Sequence, residues 1–238
     1  MTIYMIGIGL SDEKDITVKG LEAVNGSKAI YLENYTSILQ CTKEDLETYY
    51  GKKITLANRE FTETQTQKII KEAKENNVAF LVIGAPLAAT THIDIYLQAK
   101  KAKVEVEVIE NASVLTAIGI TGLFLYKFGR VTTIPLENEN ITSPYEVLKQ
   151  NKKQELHTLL LLDIKTDTLM TAREGLDYLI KQGLNPEEQV IVCGGLGTKK
   201  PEIKVGKAKE VAIEKKPQSI IIPGKLHFTE EEALELYR

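Results

Sequence analysis

Short apolar runs alternate along the first half of the chain with longer segments whose apolar residues recur every three to four positions. The runs TIYMIGIG, KAIYLE, KITLA, AFLVIG and VEVEVIE predict strands. Most are apolar at nearly every position, which suits a sheet covered on both faces. Between them, TVKGLEAV, TKEDLETYY, TETQTQKIIKEAKENN and THIDIYLQAKKAK predict helices. Thr17 stands where an N-cap is needed, and Thr42 with Asp45 makes a capping-box pattern in which Asp replaces the commoner Glu. Strand and helix in turn predict parallel strands joined by crossover helices.

After about residue 108 the rhythm changes. A helix is expected to open near Asn111 or Ser113. The uncharged stretch NASVLTAIGITGLFLY, residues 111–126, is shorter than the ~20 apolar residues of a membrane span and holds Asn, Ser, Thr and Gly. It predicts a buried or interface helix. VTTIPL and HTLLLLDI predict strands, LENENITSPYEVLKQNKKQ between them a polar loop, and MTAREGLDYLIKQG a helix stopped by Gly183. QVIVCGGLG, PEIKVGKAKEV and QSIIIPGKL predict three strands with hairpin-like links. FTEEEALELYR closes as a helix, with Thr229 as N-cap and acids in the first turn, where the helix dipole favours them. The fold class is α/β, in two domains. Residues 1–109 form an N-terminal α/β domain, and residues 110–238 a C-terminal α/β domain with a mixed sheet.

The chain has 238 residues, 43% of them hydrophobic, which leaves room for more than one core. Its net charge of -3 gives no electrostatic reason to expect nucleic-acid binding. Cys41 and Cys193 form neither a disulfide framework nor a metal-ligand spacing, and they read as buried or incidental thiols in a reducing cytosol. The first residues, MTIYMIGIGLSDEKD, lack the basic region and cleavage site of a signal peptide. A cytoplasmic protein without membrane contact is the expectation.

Gly7-Ile8-Gly9 follows the first strand, but Asp12 stands where a dinucleotide-binding fingerprint needs its third glycine. The stretch is either a phosphate site or a tight turn at a strand's carboxyl end, which also faces the ligand crevice of an α/β sheet. Asp12, Glu13 and Asp15 follow, as a solvated turn or as a polar lip for a cationic substrate. GAPLAATTHIDI lies at another strand end. Gly84, Ala88 and Ala89 admit a close ligand, Pro86 fixes the turn, and Thr90 or Thr91 caps the next helix. His92 is either a satisfied side chain or a substrate contact. His157 reads as structural, and His227, after a strand end, as a site candidate. No nucleophile motif, metal motif or P-loop is present. That pattern suits chemistry needing mainly positioning, such as alkyl transfer from an activated donor.

Taken in order, MIGIGLSDEKDITVKGLEAV, YLENYTSIL, GAPLAATTHIDI, NASVLTAIGITGLFLYKFG, TSPYEVLKQN, HTLLLLDI, MTAREGLDYL and IIIPGKLHF resemble the diphthine synthases. These are the diphthamide-pathway methyltransferases of archaea and eukaryotes. The resemblance implies two α/β domains with S-adenosylmethionine in a cleft between them, and a homodimer; the lack of a metal-ligand spacing leads to the expectation of no metal. It implies elongation factor 2 as protein substrate, methylated on the amino group of a modified histidine. Donor contacts carry over to Leu10, Ala85, Ala88, Ser113, Val114, Leu162 within one residue, Val205 and His227. The family has aspartate in its second loop, Gly-Asp-Pro, where this chain has Ala85. Asp12, Glu13 and Asp15 are the candidate proton acceptors, with water as the alternative. Lys-rich segments at 98–103 and 198–209 read as solvated faces or as docking aids for the partner. Two rival readings remain. One is a tetrapyrrole methylase with a broad planar acceptor. The other is a donor-binding homologue without turnover, supported by Ala85.

Overall fold

The computed structural model describes residues 1–35, 37–58, 61, 66–88, 92–165 and 168–238. The chain divides into two compact units, Met1–Leu115 and Thr116–Arg238. Residues 110–115 stay with the first unit because the Asn111 side chain is bonded to the Gly7 and Asp15 carbonyls.

The first unit is built on five parallel strands: β1 (Thr2–Gly7), β2 (Ala29–Glu33), β3 (Thr55–Ala57), β4 (Val78–Val82) and β5 (Glu105–Ile109). Their order is β3-β2-β4-β1-β5. Side chains alternate between the two faces. Ile3 and Met5 join Val78, Phe80 and Val82 in one core, while Ile6 joins Ala79 and Leu81 in another. A core on each face is why these strands are apolar throughout. Helices α1 (Val18–Asn25), α2 (Lys43–Tyr50), α3 (Thr66–Ala73) and α4 (Ile93–Lys101) supply the crossovers. Thr17 accepts the Gly20 N–H, and Thr42 and Asp45 form both bonds of their capping box.

The second unit carries a mixed sheet in the order β11-β10-β12-β7-β6. Its strands are β6 (Thr132–Ile134), β7 (Thr158–Leu162), β10 (Gln189–Gly194), β11 (Glu202–Lys207) and β12 (Gln218–Ile222). β6 and β7 are parallel, and the other pairs are antiparallel. A small ribbon of β8 (Ile164–Lys165) and β9 (Thr168–Leu169) follows β7. Helix α5 (Val114–Ala117) spans the junction of the units. Within the second unit lie α6 (Ser143–Lys153), α7 (Ala172–Gln182) and α8 (Phe228–Leu234). Helix α7 runs from a Thr171–Glu174 capping box to Gly183, whose φ of +116° is the left-handed stop a glycine provides.

Four expectations are corrected. The stretch LENENITSPYEVLKQNKKQ is not all loop: Ser143–Lys153 form α6, with Pro144 in its first turn and Val147 and Leu148 buried. Residues 113–126 are not one helix. The single turn α5 passes into 3-10 turns at Ile118–Thr121 and Leu125–Lys127, separated at Gly122 with φ +82°. Of the three strands expected to be linked by hairpins, β10 and β11 form one and β12 does not join it, because β12 pairs with β10 and β7 instead. β12 is buried at every position, whereas β11 carries exposed Lys204 and Lys207 and so suits the edge. The closing helix is capped by His227 rather than Thr229. Starting at Phe228 places Glu230 third in the helix, where its carboxylate returns to the His227 N–H. Among the described residues no helix is long and apolar enough to cross a membrane.

Candidate functional site

The carboxyl ends of β4, β1 and β5 lie side by side in the first unit, and their loops are stitched together. Gly9 and Gly84 form an isolated bridge, with the Gly84 N–H donating to the Gly9 carbonyl at 2.7 Å. Both have positive φ, +80° and +84°. A Cβ on Gly7 would stand 2.5 Å from the Gly84 carbonyl oxygen and 2.8 Å from the Asn111 Cβ, so only glycine fits. Asn111 Nδ2 donates to the Gly7 and Asp15 carbonyls, both at 2.9 Å. Its Oδ1 accepts the Ala112 N–H at 2.7 Å. Asp15 Oδ2 accepts the N–H groups of Leu10 at 3.1 Å and Ser11 at 2.7 Å.

This junction gathers five of the expected donor contacts: Leu10, Ala85, Ala88, Ser113 and Val114. A Cβ on Gly84 would meet Leu10 Cδ2 at 3.6 Å and the Ala112 carbonyl oxygen at 3.7 Å, so the three loops converge on that residue. Ala85 and Ser113 are buried, while Leu10, Ala88 and Val114 are half-buried. Ala89, Thr90 and Thr91 lie outside the described residues.

The three acids divide by duty. Asp15 staples its own loop. Asp12 accepts the Lys14 N–H at 3.0 Å and caps a short 3-10 turn. The Glu13 carboxylate, 3.6 Å from Lys14 Nζ, is held by the weakest of these contacts. The thiols are not poised as nucleophiles. Burial, then Glu13, Asp45 and Asp12, push Cys41 up to about 11, and burial pushes Cys193 up to about 12.

A buried polar group beside the junction escaped the sequence reading. Glu33, at the end of β2, is fully buried and accepts the N–H groups of Ile83 at 3.2 Å and Tyr35 at 3.3 Å. The Tyr35 hydroxyl lies 3.1 Å from His92 Nε2. His92 immediately precedes α4 and is fully buried, so it supports the loop from within. Burial lowers its pKa to about 4, against an opposing effect of the Pro86 backbone. An acid closing an apolar run, as in AIYLE, was the available signal for Glu33.

In the second unit the expected residues are spread along the sheet. Val205 is level with Ile191, Ile221 and Leu159. Leu162 lies three residues beyond Leu159, about 10 Å further along β7. β12 runs antiparallel to β7, so the segment leading to His227 leaves from the opposite strand end. His227 is exposed among rings, with Phe228 at 4.2 Å and Phe124 at 5.6 Å between centroids. His157 is buried; its Nδ1 accepts the Gly224 N–H at 2.9 Å, which leaves Nε2–H to donate to Glu230 Oε1 at 3.0 Å. Among the described residues no cluster of His, Cys, Asp and Glu is suited to a metal ion.

A parallel sheet whose strand-end loops close on glycines defines an open α/β protein that takes its ligand at the strand ends. The sequence family described as Tetrapyrrole (Corrin/Porphyrin) Methylases matches residues 2–212. A diphthine synthase of Methanococcus maripaludis is 44% identical over 248 residues, covering 98% of this chain and 97% of that protein. One of Methanocaldococcus jannaschii is 42% identical over 250 residues, with 98% and 97% covered. A crystal structure of diphthine synthase matches the fold with a TM-score of 0.94 at 33% identity, covering 100% of this chain and 96% of that one. The chain therefore belongs to the tetrapyrrole methylase family and, within it, to the diphthine synthases.

Proposed function

We propose that this methyltransferase of diphthamide biosynthesis moves methyl groups from S-adenosylmethionine to the amino group carried by the modified histidine of elongation factor 2. The observation that carries the reading is the match to diphthine synthases across 98% of the chain. The residues present fit such a donor by their chemistry. At the junction they offer main-chain groups and small apolar side chains, which can meet the donor's hydroxyl, amino and ring groups. His227 and Phe228 offer flat rings. Leu10, Ala85, Ala88, Ser113, Val114, Leu162, Val205 and His227 are the proposed donor contacts.

When bound, S-adenosylmethionine supplies a methyl group on a sulfonium, whose leaving group departs without a proton. The chain's task is to orient the acceptor amine and to let its proton go. By analogy with lysine, that amine is largely protonated at neutral pH. Water, Asp12 or Glu13 accepts the proton. Asp15 is the poorest acceptor of the three acids, because its Oδ2 is engaged by two backbone N–H groups. Three methyl groups leave nitrogen without a lone pair, so N-methylation stops there. The same reading makes the enzyme a cytoplasmic homodimer that meets its protein substrate transiently, without membrane or nucleic-acid contact.

The test is mass spectrometry of purified elongation factor 2 bearing the unmethylated arm, incubated with this protein and donor. Added methyl mass supports the proposal, and an unchanged mass overturns it. Ala85 favours a second reading, donor binding without turnover. Calorimetric titration of the protein and of Ala85→Asp separates the two. If the loop works through its backbone, the two dissociation constants agree within about threefold. Tight donor binding by the parent, with no methylation of any acceptor, would favour the second reading; binding that appears only with the aspartate would mean that Ala85 disables the donor site.

A further inference from the structure

Glu230 lies on α8 near the surface of the second unit, yet its side chain is wholly buried. Its carboxylate gathers donors from separate segments. Oε1 accepts the Phe124 N–H at 2.8 Å and the His157 Nε2–H at 3.0 Å. Oε2 accepts the His227 N–H at 2.8 Å and a Lys127 Nζ–H. Four donors use the full accepting capacity of a carboxylate. Lys127 also donates to the Lys225 carbonyl at 2.7 Å, and His157 holds the Gly224 N–H.

A helix cap requires none of this. The boxes at Thr42–Asp45 and Thr171–Glu174 sit at exposed positions and join only residues of their own helix starts. The Glu230 box reaches over a hundred residues along the chain to the Phe124 backbone. What it holds in common is a set of rings, half-buried Phe124 and the exposed Tyr126, His227 and Phe228. Phe124 stacks on Tyr126 at 5.4 Å and lies 5.6 Å from His227, which lies 4.2 Å from Phe228. Tyr126 is 81% exposed and Phe228 71%. The carboxylate fixes the backbone of Phe124 and of His227 from beneath, by one atom each.

We propose that Glu230 is a positioning residue for donor binding, acting through His227 and Phe124 to hold the ring face against which the donor's adenine lies. The proposal rests on the reading of His227 as a donor contact. Glu230→Gln keeps the shape but puts an amide NH2 where backbone N–H groups must be accepted, so the ring face loses its anchor.

The experiment is a double-mutant cycle in the full chain, with Glu230→Gln, His227→Ala and both together, read by calorimetric titration with S-adenosylmethionine. Each single change is expected to weaken donor binding about tenfold, and the double no more than the weaker single, as for residues acting through one another. Turnover at saturating donor should stay within about twofold for Glu230→Gln, because only donor binding is affected. Additive losses overturn the proposal, and so does normal affinity in Glu230→Gln when His227→Ala is weakened; both leave the His227 reading standing. Unchanged affinity in His227→Ala overturns that reading and the proposal with it. If Glu230→Gln does not fold, Lys127→Met takes its place. It removes one donor from the same carboxylate and should weaken binding about threefold only while His227 is present. A loss independent of His227, or none, overturns the proposal.

Discussion

Gly7 sets the closest approach in the first unit. Its missing side chain lets the Gly84 carbonyl and the Asn111 side chain close on the end of β1. Gly7→Ala would place a methyl 2.5 Å from a backbone oxygen that cannot rotate away. The expected cost is about 1–3 kcal/mol of stability, read by urea unfolding, with weaker donor binding in the same variant. A variant as stable as its parent would mean the three loops are not rigidly joined. At this scale the sequence was legible where the partner was close by. Thr42 and Asp45 are three apart, and their capping box could be read directly. Gly7 and Gly9 could be read as a turn. The duties of Asn111 could not, because its partners at Gly7 and Asp15 are about a hundred residues away. Asp15 was read as an acid available for chemistry, and one of its carboxylate oxygens, Oδ2, is engaged by the Leu10 and Ser11 N–H groups.

Elements were legible where hydrophobic period and local caps agreed. Helices α1, α2 and α7 have both, and their ends fall at Thr17, Thr42 and Gly183 as read. The stretch 113–126 is apolar enough to read as a helix, but Gly119 and Gly122 interrupt it, so short turns form where a helix was expected. Helix α8 shows why its cap was misplaced: Thr229 is the commoner capping residue, but Glu230 bonds across the chain as well as back to His227. Burial alone would raise the Glu230 pKa. Lys127, the Phe124 and His227 N–H groups and His157 outweigh it and bring the group from an ordinary 4.5 down to about 2. A carboxylate with a depressed folded-state pKa stabilises above its unfolded pKa, and the stability is lost as pH falls through the folded value. Glu230→Gln should therefore cost on the order of 3 kcal/mol at pH 7. The gap to the parent should narrow from about pH 4.5 downward and close near pH 2, as followed by urea unfolding at several pH values. A gap independent of pH would mean that charge on Glu230 is not what holds this end of the sheet.

For the whole molecule, the change from βαβ rhythm to strand-rich pattern was visible in the order of apolar runs. Which strands pair was not, because β12 meets β10 rather than the neighbouring β11 for reasons of burial across the sheet. The two units also carry their buried histidines differently, and this predicts an unequal response to acid. His92 belongs to the first unit and His157 to the second. Burial lowers both. Burial is the largest influence on His92, the Tyr35 hydroxyl beside it carries no charge to oppose that, and the pKa falls to about 4. His157 has the Glu230 carboxylate at 3.0 Å, which opposes the effect of burial. For a base whose folded pKa is depressed, the unfolded chain binds the proton more tightly. Stability is then intact above the unfolded value of 6.5 and is lost as pH falls toward 4. Between these values the first unit should weaken more than the second. Hydrogen exchange at pH 7 and pH 5, corrected for intrinsic rates, should show protection falling more in residues 1–115 than in 116–238. His92→Gln cannot take up the proton, so in that variant the first unit should lose its excess sensitivity. Equal losses in both units of the parent would mean that the buried His92 ring is relieved by rearrangement before it is charged.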